Sequence, residues 1–223
     1  MNRGSERLAV ERLRKPLQLP RLYPIVDVAC FSGTSHPGNA ILDFALAIAS
    51  TGVFWLQYRN KSGNSRQMLS DCRELRRVLG VEVTLVMNDR ADLALAAGFD
   101  GVHVGQDDLP VQAVRRLVGA EFIVGTSTHN PEQLGVADQT DADYVAIGPV
   151  YATSSKANPD PVVGLDGVRL ARSLTRKPLV AIGGITRANC RAVLEAGADS
   201  VAVISDLVNN PQAAAEEFLR ILL

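Results

Sequence analysis

The chain reads as a single (β/α)8 barrel of the TIM type, an α/β fold, and two observations predict it. From Leu22 onward, short apolar runs rich in β-branched residues alternate with segments of helical period. Eight such pairs fit into about 200 residues, the size of a small barrel of this kind. Strand–helix alternation implies parallel strands, which are nearly all apolar when buried. The competing architecture is an open doubly wound sheet, and no GxGxxG opens the first helix to support it.

The strands are expected at Leu22–Val26, Val53–Tyr58, Val83–Met87, Gly101–Val104, Phe122–Val124, Tyr144–Ile147, Leu179–Ile182 and Ser200–Ile204. Between and after them, apolar spacings of three and four mark helices at Ala40–Ala49, Gln67–Leu79, Ala91–Ala97, Val111–Val118, Pro131–Ala137, Val168–Leu174, Ala188–Ala196 and Ala213–Leu222. The first carries Ile41, Phe44, Ala45 and Ile48 on one stripe. Gly80, Gly98, Gly119 and Gly197 fall where helix C-caps belong. Phe31–Asn39 is a long Gly/Ser/Pro-rich loop that reads equally as a lid or a plain insertion. Residues 1–20 read as a polar extension with a short helix at Ser5–Leu13, and residues 21–223 as the barrel.

Of the 223 residues, 47% are hydrophobic and the formal charge is −1, a balance unlike that of a nucleic-acid binder. No apolar run approaches the roughly 20 residues of a membrane span, and Met1–Pro20 has no secretory core. Three cysteines, Cys30, Cys72 and Cys190, form no CxxC pair. They suggest packing residues in a reducing, cytoplasmic setting, with neither a disulfide framework nor a zinc site.

In a barrel of this kind the chemistry sits at the C-terminal ends of the strands. Strand two ends Gln57-Tyr58-Arg59-Asn60-Lys61, and alternation puts Gln57, Arg59 and Lys61 on one face. Two cations aimed at one barrel mouth call for an anion such as phosphate, unless they are merely an exposed surface pair. Strands three and four end Asn88-Asp89-Arg90 and Gly105-Gln106-Asp107-Asp108. Asp89 and Asp108 facing each other call for a cation between them, and an oxygen-only set beside phosphate suggests Mg²⁺. Otherwise Asp89 caps the next helix, and whether Asp107 or Asp108 faces inward stays open. Strand five ends in the hydroxyl-rich Thr126-Ser127-Thr128-His129, with His129 a possible cap, while His103 reads as a core or rim residue. The loop after strand six, Gly148 to Lys156, carries small donors and a lysine, as a phosphate loop does. Gly183-Gly184 after strand seven and Ile204-Ser205 after strand eight occupy the usual phosphate site of such barrels.

Five of these motifs occur in order: Gln57-x-Arg59-x-Lys61, Asn88-Asp89-Arg90, Gly101-Val102-His103-Val104-Gly105-Gln106-x-Asp108, Gly148-Pro149-Val150-Tyr151-x-Thr153-x-Ser155-Lys156 and Gly183-Gly184-Ile185-Thr186. Together they resemble the thiamine phosphate synthase (thiamine-phosphate pyrophosphorylase) family over Leu22 to Phe218. The resemblance implies a transferase that condenses 4-amino-5-hydroxymethyl-2-methylpyrimidine diphosphate with a thiazole phosphate, commonly its carboxylated form. Products are thiamine phosphate and pyrophosphate, with CO2 from the carboxylated donor. It implies Gln57 on the aminopyrimidine, and Arg59, Lys61, Asn88, Ser127 and Lys156 on the diphosphate. It implies Mg²⁺ on Asp89 and Asp108. Thr153, Ser155 and the backbone at Gly184, Ile204 and Ser205 are implied for the thiazole phosphate. A homodimer is implied as well.

Two positions depart from the family pattern: Asn60 replaces an acidic residue and Ser155 a threonine. Two other readings compete: a thiazole tautomerase on the same barrel, and a non-catalytic phosphometabolite-binding barrel. Retention of the whole diphosphate set favours the synthase.

Overall fold

The computed structural model describes residues 17–153, 155 and 160–223. The strands are β1 (Leu22–Asp27), β2 (Trp55–Arg59), β3 (Thr84–Asn88), β4 (Gly101–Val104), β5 (Ile123–Thr128), β6 (Tyr144–Ile147), β7 (Leu179–Ile182) and β8 (Ser200–Val203). They are parallel and close into a barrel in chain order, β8 pairing back onto β1. The open-sheet alternative is thereby excluded. The helices are α1 (Pro37–Ala49), α2 (Ser65–Leu79), α3 (Ala91–Ala97), α4 (Val111–Val118), α5 (Pro131–Asp138), α6 (Gly164–Leu174), α7 (Cys190–Glu195) and α8 (Pro211–Leu222). Short 3-10 turns follow β1 at Val28–Phe31 and β8 at Ser205–Leu207.

Strand alternation sorts the side chains into two cores. Outward residues such as Leu56, Leu85 and Val203 meet the apolar stripes of the helices, including Ile41, Leu75 and Phe218. Inward Tyr23, Ile25, Trp55, Val86, Tyr144, Ala146, Val180 and Ala202 form a separate cluster inside the barrel. Leu17 and Leu19, which fall within the extension expected through Pro20, pack against that inner cluster. The helix expected at Ser5–Leu13 lies outside the described residues.

At the opposite end from the site, one motif occurs three times. An arginine on an even-numbered helix meets an aspartate just before the strand two units on: Arg76–Asp100, Arg115–Asp143 and Arg172–Asp199. Each aspartate also accepts a backbone N–H from the intervening odd strand, at Leu85, Val124 and Leu179. Each arginine satisfies carbonyls of its own loop, such as Gly80, Phe122 and Lys177. The bolts tie helix ends and strand starts together around the N-terminal face, where such barrels keep their stabilising residues.

Several boundaries differ from the sequence reading for local reasons. Helix α1 begins at Pro37, not Ala40, because proline suits the first helical position; the long loop is correspondingly shorter. Helix α2 begins at Ser65, where Asn64 accepts from the Gln67 N–H as N-cap. Strand β5 runs on to Thr128, its β-branched threonines suiting a strand. Strand β1 runs to Asp27. Helix α6 begins at Gly164, and α7 is shorter than Ala188–Ala196. Gly80, Gly98 and Gly119 are C-caps as expected, whereas α7 is capped by Ala196 and Gly197 follows. Cys72 and Cys190 are buried as packing residues, but Cys30 is exposed.

Candidate active site

A cavity of about 390 Å³ opens at the C-terminal ends of the strands. From β2, Gln57 and Arg59 point into it, and Lys61 reaches it from just past the strand end. The shared face expected from alternation is present. The cations are not bare, however. Arg59 forms an ion pair with Asp27, its register partner on β1, whose other oxygen accepts from the Ala29 N–H at 3.1 Å. Lys61 pairs with Asp89. Neighbouring strand ends thus supply the carboxylates that make the cation pair tolerable without a ligand. Ending β1 at Val26 hides Asp27; the available signal is an acid immediately after an apolar run, level with Arg59.

Asn88 and Asp89 close β3. The Asn88 Nδ2 is buried without a hydrogen-bond partner among the described residues, and Asn88 lines the cavity. A buried donor left without a partner calls for an explanation, such as a ligand or water that completes it. Asp89 has φ 64°, a left-handed conformation unusual for a non-glycine residue. It does not cap α3, whose N-cap is Arg90. Its carboxyl is pushed up to about 6, first by burial and then by the neighbouring Asp108 carboxyl; hydrogen bonding to Lys61 opposes the rise. The residue that meets Asp89 is Asp108, held in place by the Gly105 N–H at 2.8 Å. Two facing carboxylates, all-oxygen and close to cations and an orphan amide, are donor chemistry that fits a hard dication such as Mg²⁺. Among the described residues, no group of three or more His, Cys, Asp or Glu is placed to hold a metal ion.

On β5 only Ser127 of the hydroxyl run faces the cavity. Thr126 and Thr128 point outward and are buried, Thr128 donating to the Ala146 carbonyl at 2.8 Å. His129 is not the cap; Asn130 is, accepting from the Gln133 N–H, while His129 Nδ1 sits 2.6 Å from the Gly148 carbonyl. Beneath the cavity runs a chain of side-chain hydrogen bonds. Gln57 Nε2 donates to the Tyr23 hydroxyl at 2.8 Å, and Tyr23 meets Tyr144 at 2.9 Å. Tyr144 meets His103 Nδ1 at 3.0 Å, and His103 Nε2 meets Ser127 Oγ at 2.8 Å. Burial pulls the His103 imidazole down to about 4, against an opposing Asp108 field, so the ring is neutral near pH 7. Tyr23 and Tyr144 are inner-core aromatics that the sequence pattern shows only as strand apolars.

Thr153 and Ser155 reach the cavity from the loop after β6, the Ser155 N–H donating to Thr153 Oγ1 at 3.2 Å. Lys156 lies outside the described residues. Gly184 has φ 63°, and a Cβ there would come 2.5 Å from the Ala152 carbonyl oxygen, so only glycine lets these two loops approach. The rim by β8 is the 3-10 turn whose start presents Ile204 and Ser205 to the cavity. Helix α7 begins at Cys190, two residues after the expected Ala188, so its N-terminus is set back from Gly183-Gly184.

Asn60 has its own structural task. Its Oδ1 accepts from the N–H groups of Ser62 and Gly63 at 3.1 and 2.8 Å, and its Nδ2 donates to the Tyr58 hydroxyl at 3.1 Å. Tyr58 in turn donates to Asp71 on α2 at 2.8 Å. The position between Arg59 and Lys61 is thereby clamped to the helix layer.

A closed (β/α)8 barrel with a mixed-charge cavity at the strand C-termini has the architecture of a barrel enzyme acting on small molecules. The family model described as thiamine monophosphate synthase matches residues 22–207. A thiamine-phosphate synthase from Koribacter versatilis is 63% identical over 207 residues, covering 92% of this chain and 97% of that protein. One from Chloroflexus aurantiacus is 43% identical over 189 residues, covering 84% and 85%. The solved thiamine phosphate pyrophosphorylase from Pyrococcus furiosus superposes with a TM-score of 0.77 at 29% identity, covering 91% of this chain and 95% of that one. The chain belongs to the thiamine monophosphate synthase family. It is a transferase of thiamine biosynthesis, and its activity is thiamine-phosphate synthesis.

Proposed function

We propose that the cavity joins the two substrates by Mg²⁺-assisted, dissociative departure of pyrophosphate. Gln57 holds the aminopyrimidine. Arg59, Lys61, Asn88, Ser127 and Lys156 hold the diphosphate, Asp89 and Asp108 hold the metal ion, and Thr153, Ser155 and the backbone at Gly184, Ile204 and Ser205 hold the thiazole phosphate. The observation that carries this reading is the meeting of Arg59, Lys61, the Asp89–Asp108 pair and the orphan Asn88 amide around one cavity.

The bond between the pyrimidine methylene carbon and the diphosphate oxygen breaks, its electron pair leaving with pyrophosphate. The electron-rich aminopyrimidine stabilises the resulting cation, and the thiazole nitrogen supplies the pair for the new C–N bond. A carboxylated donor then loses CO2. No side-chain nucleophile is required. The ion, when bound at the two carboxylates, neutralises charge on the diphosphate oxygens. Arg59, Lys61, Lys156 and the Ser127 hydroxyl receive the charge that develops on the leaving oxygens. Arg59 is held by Asp27 before substrate arrives, which preorganises its fork.

Protein supplied with both substrates and Mg²⁺ is expected to release one pyrophosphate per thiamine phosphate formed, and none when either substrate is omitted. Lys156→Ala is expected to lose about 10²–10³ in turnover with the fold retained. Asp89→Asn is expected to move the Mg²⁺ activation curve to higher concentration by about tenfold or more. An unchanged curve removes Asp89 from the metal site. The same reading assigns a cytoplasmic setting, supported by three unpaired cysteines, and the homodimer of the family resemblance, measurable by light scattering.

A further inference from the structure

Five side chains from five different strands form one buried line from Gln57 to Ser127, and the Gln57 amide at its start favours one direction along it. An amide nitrogen only donates, so Gln57 Nε2 gives its hydrogen to Tyr23. The arrangement that uses every hydroxyl hydrogen along the line sends that of Tyr23 to Tyr144 and that of Tyr144 to His103 Nδ1. With Nδ1 accepting, a neutral imidazole carries its one hydrogen on Nε2 and donates it to Ser127 Oγ. The Ser127 hydroxyl is left with its own hydrogen free to donate into the cavity.

Packing reinforces the arrangement. His103, Gly125 and Tyr144 lie level on β4, β5 and β6. The Tyr144 ring stacks on His103 with centroids 5.5 Å apart and planes 27° apart. A Cβ on Gly125 would lie 2.0 Å from the Tyr144 ring. Glycine there is what lets the tyrosine cross its neighbour strand to reach the histidine.

We propose that His103 is a positioning residue: locked by Tyr144 as the Nε2–H tautomer, it fixes the Ser127 hydroxyl as a donor toward the departing oxygen. Gln57 sets the direction of the line from the opposite side of the cavity. The proposal rests on the assignment of Gln57 and Ser127 to the two ends of the pyrimidine diphosphate. It adds that the two ends are physically connected, so that the amide orientation that suits the aminopyrimidine also selects the serine rotamer that suits the leaving group.

The test is a double-mutant cycle on pyrophosphate release, with kcat and KM measured separately. His103→Gln keeps a nitrogen donor at the reach of Nε2, whereas His103→Asn is too short to meet Ser127. His103→Asn is expected to lower kcat about tenfold with KM for the thiazole phosphate unchanged, and His103→Gln to stay within about threefold of wild type. In a Ser127→Ala background the asparagine substitution is expected to cost less than about twofold more, because its target is gone. Tyr144→Phe keeps the ring and breaks the line at its middle, so it is expected to show the same dependence on Ser127 and serves if His103→Asn does not fold. Equal losses with and without the Ser127 hydroxyl would overturn the proposal, as would equal kcat for the asparagine and glutamine variants. Wild-type protein that releases no pyrophosphate would instead refute the proposed reaction, so the two failures are distinguishable.

Discussion

The departure at Asn60 makes a sharp prediction. Asn60, Tyr58 and Asp71 are all at most 9% exposed, and the hydrogen of the Tyr58 hydroxyl is committed to Asp71 at 2.8 Å. The phenol oxygen therefore offers only lone pairs to residue 60, and Asn60 answers with an N–H at 3.1 Å. In Asn60→Asp a carboxylate oxygen faces those lone pairs instead. One hydrogen bond worth about 1 kcal/mol is lost and a buried acceptor is left unpaired at about 1–3 kcal/mol, together roughly 2–4 kcal/mol. For a domain of this size that is a fall in Tm of roughly 4–16 °C. The loop itself survives, because the aspartate still accepts from the N–H groups of Ser62 and Gly63. Calorimetry should therefore show the loss while KM for both substrates stays near wild type. The decisive variant is Asn60→Asp combined with Asp71→Asn. It reverses the line: the new amide on α2 donates to Tyr58, and Tyr58 donates to the new carboxylate on the loop. Gln67, whose Nε2 lies 2.7 Å from Asp71 Oδ1, keeps an acceptor in the amide oxygen. Most of the lost Tm is expected to return. An unchanged Tm in the single variant, or a double variant less stable than either single one, refutes the donor–acceptor assignment.

Three further outcomes follow from the geometry. Asp143→Ala strands Arg115, whose side chain is 14% exposed, and the buried Val124 N–H; a loss of about 3 kcal/mol by urea denaturation is expected. Asp199→Ala, at a half-exposed aspartate, should cost distinctly less, and the reverse order would discredit the bolt argument. Gly184→Ala combines φ 63° with a Cβ 2.7 Å from that of Tyr151, so the loop must shift; KM for the thiazole phosphate should rise about tenfold or more, and an unchanged KM would separate this loop from the phosphate. His103 has a folded pKa near 4 against an unfolded value near 6.5, so the unfolded chain binds more protons between those values. Its share of stability is full above about pH 6.5 and is lost as pH falls toward 4, by roughly 3 kcal/mol. His103→Gln should flatten that part of the stability–pH curve, and an unaltered slope would show that the ring is not buried neutral.

Periodicity made the barrel legible because each helix had one apolar stripe and each strand a continuous apolar run. The ends of elements were less legible, and the reason is chemical. Pro37 and Asn64 start helices through a fixed φ and a side-chain cap, not through hydrophobic spacing. The hydroxyl run ending at Thr128 reads as loop by polarity, yet two of its threonines pack outward as strand residues. At the site, alternation put Gln57, Arg59 and Lys61 on one face, and they line the cavity; Ser127 came only from the family resemblance. Alternation could not choose between Asp107 and Asp108, because both follow the strand and the choice depends on the Gly105 N–H. Asp27 and Tyr144 were hidden for opposite reasons: one sat past an expected boundary, and the other looked like ordinary core.

That last pair explains how a barrel can carry so much charge at its mouth. Inward positions on successive strands form stacked layers, and the layer below the cavity is a set of neutral hydrogen-bonding groups: Gln57, Tyr23, Tyr144 and His103. Above it the charges come in opposite-signed pairs, Arg59 with Asp27 and Lys61 with Asp89. Beside the second pair Asp89 and Asp108 meet, a contact that favours an added cation. With Arg59 kept on Asp27, a diphosphate would recruit Lys61 from Asp89 while a dication at Asp89 and Asp108 would offset those two carboxylates, so the exchange would leave less net charge to desolvate. An anion without a metal would draw Lys61 from Asp89 and leave two carboxylates facing each other. Binding of the diphosphate and of the ion should therefore be strongly cooperative, and pyrophosphate alone, titrated calorimetrically with and without Mg²⁺, measures it. Equal affinities in the two titrations would mean that the carboxylate pair is neutralised by protons and Lys61 alone, and that the metal assignment to Asp89 and Asp108 is wrong.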